Sequence, residues 1–98
     1  MPLNEKQKRH LRGLLHTRKP VVIIGGAGLT DSVLKEIENA IAHHELIKVK
    51  VNADDRPARQ AMIDRIVQET RSELVQTIGH TASFYRQAEK PVITIPKN

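Results

Sequence analysis

The plainest chemical potential in the chain lies in a glycine turn. Residues 21–24, VVII, run directly into Gly25, Gly26, Ala27 and Gly28, and a helix-like segment follows from Thr30. Glycines at such a junction let the backbone approach a ligand with no Cβ in the way, and the N–H groups that open a helix favour anions. Phosphate binding is the chemistry this suggests, and three designs compete for it. A dinucleotide fingerprint requires G-x-G-x-x-G and, about 20 residues on, an acid for the ribose. The turn here reads G-G-A-G-L-T, its third glycine is missing, and Glu45 precedes the next strand instead of ending it. A P-loop requires lysine and then a hydroxyl residue after its second glycine; Leu29 and Thr30 stand there. The remaining design is G-x-x-G, met by Gly25 and Gly28, the pattern that clamps nucleic-acid backbone in KH modules. Taken by itself, this motif is more often a tight strand-to-helix turn with no ligand.

The other reactive side chains form no catalytic set. His43 and His44 are neighbours, and adjacent residues on a helix diverge by about 100°. No second ligand pair stands at a zinc-like spacing, and a place at a helix C-terminus explains both histidines; no metal is expected. Asp54 and Asp55 directly precede a helix start that carries Pro57, which marks one or the other as its cap. Thr30, Ser32 and Ser83 have no base in register, and the chain has no cysteine. Phe84 and Tyr85 are the only aromatics. The expected arrangement has Phe84 in the core and Tyr85 half-exposed on a strand, too little for a stacking platform. Recognition of a nucleic acid would then rest on shape and phosphates. The chain is expected to be no enzyme and to need no cofactor.

These residues need elements to hold them. Residues 4–17 read as a helix with Gln7, Leu11, Leu14, Leu15 and Arg18 on one face and Arg9, Arg12 and His16 opposite. Asn4 and Gln7 have the spacing of a capping box. Residues 21–24 suit an internal strand. Residues 30–44 form a helix with an apolar stripe of Val33, Leu34, Ile37, Ala40 and Ile41, capped by Thr30 or Asp31. In LIKVKV, residues 46–51, Ile47, Val49 and Val51 point one way while Lys48 and Lys50 point the other, as in a strand with one covered and one open face. A third helix spans residues 56–70, with Ala58, Met62, Ile63, Ile66 and Val67 available to the core. The runs ELVQTIG and ASFYRQ, joined through Gly79, His80 and Thr81, read as a hairpin. PVITIP, residues 91–96, is expected as an edge segment fenced by its prolines. The order helix-strand-helix-strand-helix-strand-strand predicts an α/β open-faced sandwich: a mixed four-stranded sheet with helices mainly on one side.

Ninety-eight residues make a single domain, 1–98, with an aliphatic core. The N-terminus lacks the apolar stretch of a signal peptide, and no apolar run approaches the roughly 20 residues of a membrane helix, so a soluble cytoplasmic protein is expected. The formal charge of +5 is unevenly placed. Lys6, Lys8, Arg9, Arg12, Arg18 and Lys19 face only Glu5 within residues 1–20, a net +5, while residues 21–98 hold ten basic and ten acidic residues. Such asymmetry points to a polyanionic partner. A basic surface beside a G-x-x-G turn, with Lys48 and Lys50 on the open face, forms a plausible site for nucleic-acid phosphates.

The blocks KQKRHLRGLLH, PVVIIGGAGLT, VLKEIENAIAHHELIKVKV and IGHTASFYR, in that order over roughly residues 5–86, resemble the CRM domain, the chloroplast RNA splicing and ribosome maturation module, and in particular its stand-alone bacterial YhbY-like members. The resemblance implies an RNA-binding domain similar in fold to the C-terminal domain of a bacterial translation initiation factor. It places the family's loop on Gly25, Gly26, Ala27 and Gly28 and a basic surface on the first helix and neighbouring strand. It further implies large-subunit ribosomal RNA or a pre-ribosomal particle as partner, with no catalysis by the domain. Ala27 departs from the asparagine that relatives often carry, and Ala82 and Ser83 depart from a more aliphatic pattern. The alternative function is a protein-interaction module that docks on a ribosomal protein or assembly GTPase through its first helix.

Overall fold

A computed structural model describes residues 2–97. Its elements follow in the order α1 (Glu5–Leu15), β1 (Pro20–Ile24), α2 (Asp31–His44), β2 (Leu46–Val51), α3 (Arg56–Thr70), β3 (Glu73–Ile78) and β4 (Thr81–Tyr85). Side-chain caps fix the three helix starts. Asn4 accepts from the Gln7 N–H at 2.8 Å while Gln7 accepts from the Asn4 N–H at 3.0 Å, closing the capping box. Thr30 accepts from Val33 at 3.2 Å, and Asp55 from Ala58 at 2.8 Å with Pro57 in the first turn. Each such cap is worth about 1 kcal/mol.

The sheet has four strands in the order β1-β2-β4-β3. β1 runs parallel to β2, and the other two pairings are antiparallel, so the sheet is mixed. Strand alternation divides it into two faces. Val22, Ile24, Ile47, Val49, Val51, Ala82 and Phe84 share a core with Ile37 and Ile41 of α2 and Ile63 and Ile66 of α3. The opposite face is covered at one end only. There Leu11 and Leu15 of α1 pack on Leu46, Val75 and Tyr85. Two helices therefore share one side, and α1 closes part of the other.

Three expectations are corrected here. β1 stands at the edge of the sheet and not inside it, which leaves Val21 43% and Ile23 62% exposed. Residues 91–96 form no strand. They cross beside α1, with Ile93 and Ile95 packed into the second core and Pro96 accepting from the Gln7 side chain at 3.0 Å. The reason is Glu45, fully buried at φ 65 between α2 and β2. Its carboxylate accepts backbone N–H groups from Ala88 at 2.6 Å, Val92 at 2.9 Å and Ile93 at 2.7 Å, so these donors serve a side chain and not a sheet edge. Tyr85 is not half-exposed either: α1 and this tail leave it 5% accessible, with its hydroxyl unpaired among the described residues. No helix among the described residues is long and apolar enough to cross a membrane.

Candidate nucleic-acid interface

The glycine turn is a short loop held from both sides. Gly28 N–H donates to Gly25 O at 3.0 Å, which places Gly26 and Ala27 at an exposed corner. Gly28 sits at φ 77, a conformation that costs glycine little and other residues more. Beyond it, Thr30 N–H returns to Gly28 O at 3.1 Å and Leu29 is buried in the main core. Arg65 of α3 reaches across, donating to Leu29 O at 3.1 Å and standing 3.8 Å from Asp31. The anchored ends leave the Gly26 and Ala27 N–H groups without a partner among the described residues. With the first turn of α2 behind them, they form a backbone donor surface suited to an anion.

The predicted basic residues divide by location. Lys6, Arg9 and Lys19 are exposed, and no ion pair holds them among the described residues. Arg12 pairs with Glu5 at 3.4 Å. Arg18 donates to Leu46 O at 2.8 Å, so part of its guanidinium fastens the start of β1 to β2. Lys8 lies over the β3 edge, in a hollow it shares with Asp64, Gln68 and Glu73. Lys48 and Lys50 occupy the uncovered part of the sheet face. α1 and the glycine turn lie at opposite ends of β1. The five residue steps from Pro20 to Gly25 span about 17 Å at the rise of a strand, and the two β2 lysines lie between.

The structure adds cations that the sequence did not single out. Arg56 and Arg59 stand in the first turns of α3, and Arg59 donates to Gly79 O at 3.2 Å and lies 3.2 Å from the His80 ring nitrogen. Val51 N–H donates to His80 O and Asn52 N–H to Ile24 O, which gathers the hairpin tip and the ends of β1 and β2 beside the turn. Asp54 and Asp55 directly precede them, so these arginines add cationic donors near the turn without a net local excess; their i, i+3 spacing in a helix start was the available signal.

Other groups serve the fold. Burial, and then the charge of Glu45, pushes the Tyr85 hydroxyl up to about 12, and its place under α1 removes it from any stacking role. Arg86 makes a two-pronged contact with Glu38 at 2.8 and 2.6 Å and donates to Thr70 O at 2.8 Å. These hydrogen bonds hold the Glu38 carboxyl below its ordinary range. His43 and His44 meet edge-on at 4.7 Å, and no cluster of three potential metal ligands occurs among the described residues.

Comparison with known proteins bears on the family. The CRS1 / YhbY (CRM) domain model matches residues 3–86. A Haemophilus influenzae protein named RNA-binding protein is 54% identical over 95 residues, covering 97% of this chain and 96% of that one. A probable RNA-binding protein of Pseudomonas aeruginosa is 44% identical over 91 residues, with 93% and 88% covered. The solution structure of a Staphylococcus aureus protein, described as a candidate RNA-binding protein, superposes with a TM-score of 0.82 at 35% identity, over 97% of this chain and 100% of that one. The match in sequence over nearly the whole length, together with the shared fold, means that the chain belongs to the CRS1 / YhbY (CRM) domain family.

Proposed function

We propose that this protein is a non-catalytic RNA-binding protein, a single domain over residues 1–98 acting in the cytoplasm on ribosomal RNA of the large-subunit precursor and assisting its assembly. The observation that carries the binding reading is the braced turn. Gly26 and Ala27 offer unpaired N–H groups at the head of α2, in a family whose relatives are named for RNA binding. Gly25, Gly26, Ala27 and Gly28 grip the phosphodiester backbone. Lys6, Lys8, Arg9, Arg12, Arg18 and Lys19 supply the field from α1, Lys48 and Lys50 extend it over the sheet, and Arg56 and Arg59 reinforce it near the turn. Docking on a protein through α1 is disfavoured because Leu11, Leu14 and Leu15 are already engaged by the sheet and tail.

The test is RNA binding titrated across salt, with wild type beside a Gly26→Asp/Ala27→Asp variant. Five unpaired cations on α1, the following linker and β2 predict a slope of log affinity against log salt near −4, at about 0.7–0.9 per phosphate. The acidic turn is expected to weaken binding strongly with an unchanged unfolding midpoint. Equal binding by that variant would remove the clamp, and a flat salt profile would remove the phosphate reading altogether. Pre-ribosomal particles from cells lacking the protein, probed for altered large-subunit intermediates, test the assembly role.

A further inference from the structure

The uncovered part of the sheet face holds a cavity of about 200 Å³, lined by Pro20, Lys48, Gln76, Ile78, Thr81 and Ser83. Its walls come from the strand registers. Pro20, Lys48, Ser83 and Gln76 form one row across all four strands, and Lys50, Thr81 and Ile78 belong to the next row. A bulge at Val75 leaves that residue packed under α1 while Gln76 lines the cavity opposite Ser83.

Its polar groups are unusual. Ser83 is 1% exposed overall, and its hydroxyl, with no hydrogen-bond partner among the described residues, keeps contact with solvent. Gln76, Thr81 and Lys48 also have no partner among the described residues. These groups are still reached by solvent, and they converge between two aliphatic surfaces, Pro20 and the 67%-exposed Ile78. Apolar walls with a few convergent polar groups are the usual form of a ligand site. The volume lies below the roughly 300 Å³ at which whole-ligand pockets begin, which suits one ring system.

We propose that this cavity receives a single unpaired nucleobase of the bound RNA. The assignment rests on the RNA-binding reading and deepens it from phosphate contact to base selection. A base held in a duplex stack cannot enter a hollow in a sheet, so the ligand is a bulged or loop nucleotide with its ring between Pro20 and Ile78. Serine and threonine hydroxyls and the glutamine amide both donate and accept, whereas the Lys48 ammonium only donates. The site therefore prefers bases that carry carbonyl acceptors, uracil with two and guanine or cytosine with one, over adenine, which has none. Lys50, in the neighbouring row toward the glycine turn, takes an adjoining phosphate.

The experiment compares a hairpin carrying one bulged G or U with its fully paired counterpart, for wild type and for Ser83→Ala/Gln76→Ala. Wild type is expected to favour the bulged RNA about tenfold. The variant is expected to bind both RNAs with the affinity and salt slope that wild type shows for the paired one. Amide shifts at Gln76, Thr81 and Ser83 on addition of the bulged RNA locate the base. Equal wild-type affinity for the two RNAs, with the salt slope intact, overturns the base site and leaves the phosphate reading standing. Shifts confined to residues 25–30 do the same, and would leave the cavity to a protein partner. Absence of any RNA binding overturns both readings. Saturation by guanosine or uridine monophosphate at the concentrations that saturate bulged RNA would make this a mononucleotide site and also overturn the proposal.

Discussion

Glu45→Gln is the sharpest test of what holds the second core together. The substitution keeps the side chain's shape and changes one oxygen to a nitrogen donor. In the wild type one carboxylate oxygen accepts from Val92 and Ile93, and the other accepts from Ala88. A glutamine carbonyl can retain the first two bonds, and its amide then meets the Ala88 N–H donor to donor. One charge-assisted bond is lost, worth about 1.5–3 kcal/mol. The two retained bonds fall to neutral strength, roughly half. The sum is limited by an escape route, because residues 88–96 can undock and give up only their own contacts with α1. A loss of about 2–4 kcal/mol is therefore expected, against roughly 5–15 for a domain of this size. In urea, at about 1–3 kcal/mol per molar, the midpoint should fall by about 1–2 M. Hydrogen exchange at Ala88, Val92 and Ile93 should accelerate. The Arg86 amide, bound to the backbone oxygen of Glu45 at 2.9 Å, provides an internal control that should stay protected. A midpoint shift worth less than about 1 kcal/mol, with Val92 and Ile93 still protected, would refute the clasp.

Gly28→Ala should cost about 1–2 kcal/mol through its φ of 77 alone, since an added Cβ would meet Met62 at an ordinary 3.8 Å; Gly26→Ala, with open space and no positive φ, should leave the melting temperature unchanged. Tyr85→Phe should raise stability by about 1 kcal/mol at neutral pH, because it removes a buried hydroxyl with no partner. It should also flatten the alkaline limb. The unfolded tyrosine ionises from its ordinary 10 while the folded one holds its proton to about 12, so wild-type stability falls between those values. Glu38, held low chiefly by the Arg86 hydrogen bonds, contributes stability above its ordinary 4.5 that is lost as pH falls through the depressed folded value. Glu38→Gln should remove that part of the acid slope in pH-dependent urea melts, about 1 kcal/mol or less because the pair is partly exposed.

Local signals carried most of the fold. The capping box at Asn4 and Gln7 stands where its spacing placed it, the open choices between Thr30 and Asp31 and between Asp54 and Asp55 resolve to Thr30 and Asp55, and the hairpin connection expected over Gly79 to Thr81 is the two residues Gly79 and His80, all short-range chemistry. The alternation of residues 46–51 set the sheet faces. What it underused was Leu46, an apolar residue on the lysine side. An apolar start to an otherwise charged face means that one end is covered, and Leu46 indeed lies beneath Leu11 and Leu15. Ile93 and Ile95 alternate as strand residues do, but the partner that claims their segment is a carboxylate more than forty residues away in sequence. No local pattern distinguishes a glutamate that accepts three distant amides from one on a solvated helix end. The candidate phosphate turn was legible because glycine types and spacing define it. The cavity beneath Ser83 was not, because it exists only where four strands place one row side by side.

The separation of α1 from the glycine turn has a consequence for the ligand. Arg18 and the tail hold α1 at one end of β1, while Arg65 and Leu29 hold the turn at the other. β1 between them acts as a spacer of about 17 Å. Phosphates along one strand of double-stranded DNA advance about 3.4 Å each along the axis, and the A-form RNA helix advances less, so a duplex that contacts both ends needs at least about five base pairs, and a folded loop needs a comparable span. A shorter oligonucleotide can satisfy the turn or the helix, not both, and should forfeit the part of the salt dependence belonging to the unused end. The basic helix contributes to binding at the turn only through a ligand long enough to join them. A preference for folded RNA over short strands would thus arise from the spacing of the two ends, whatever sequence the cavity between them selects.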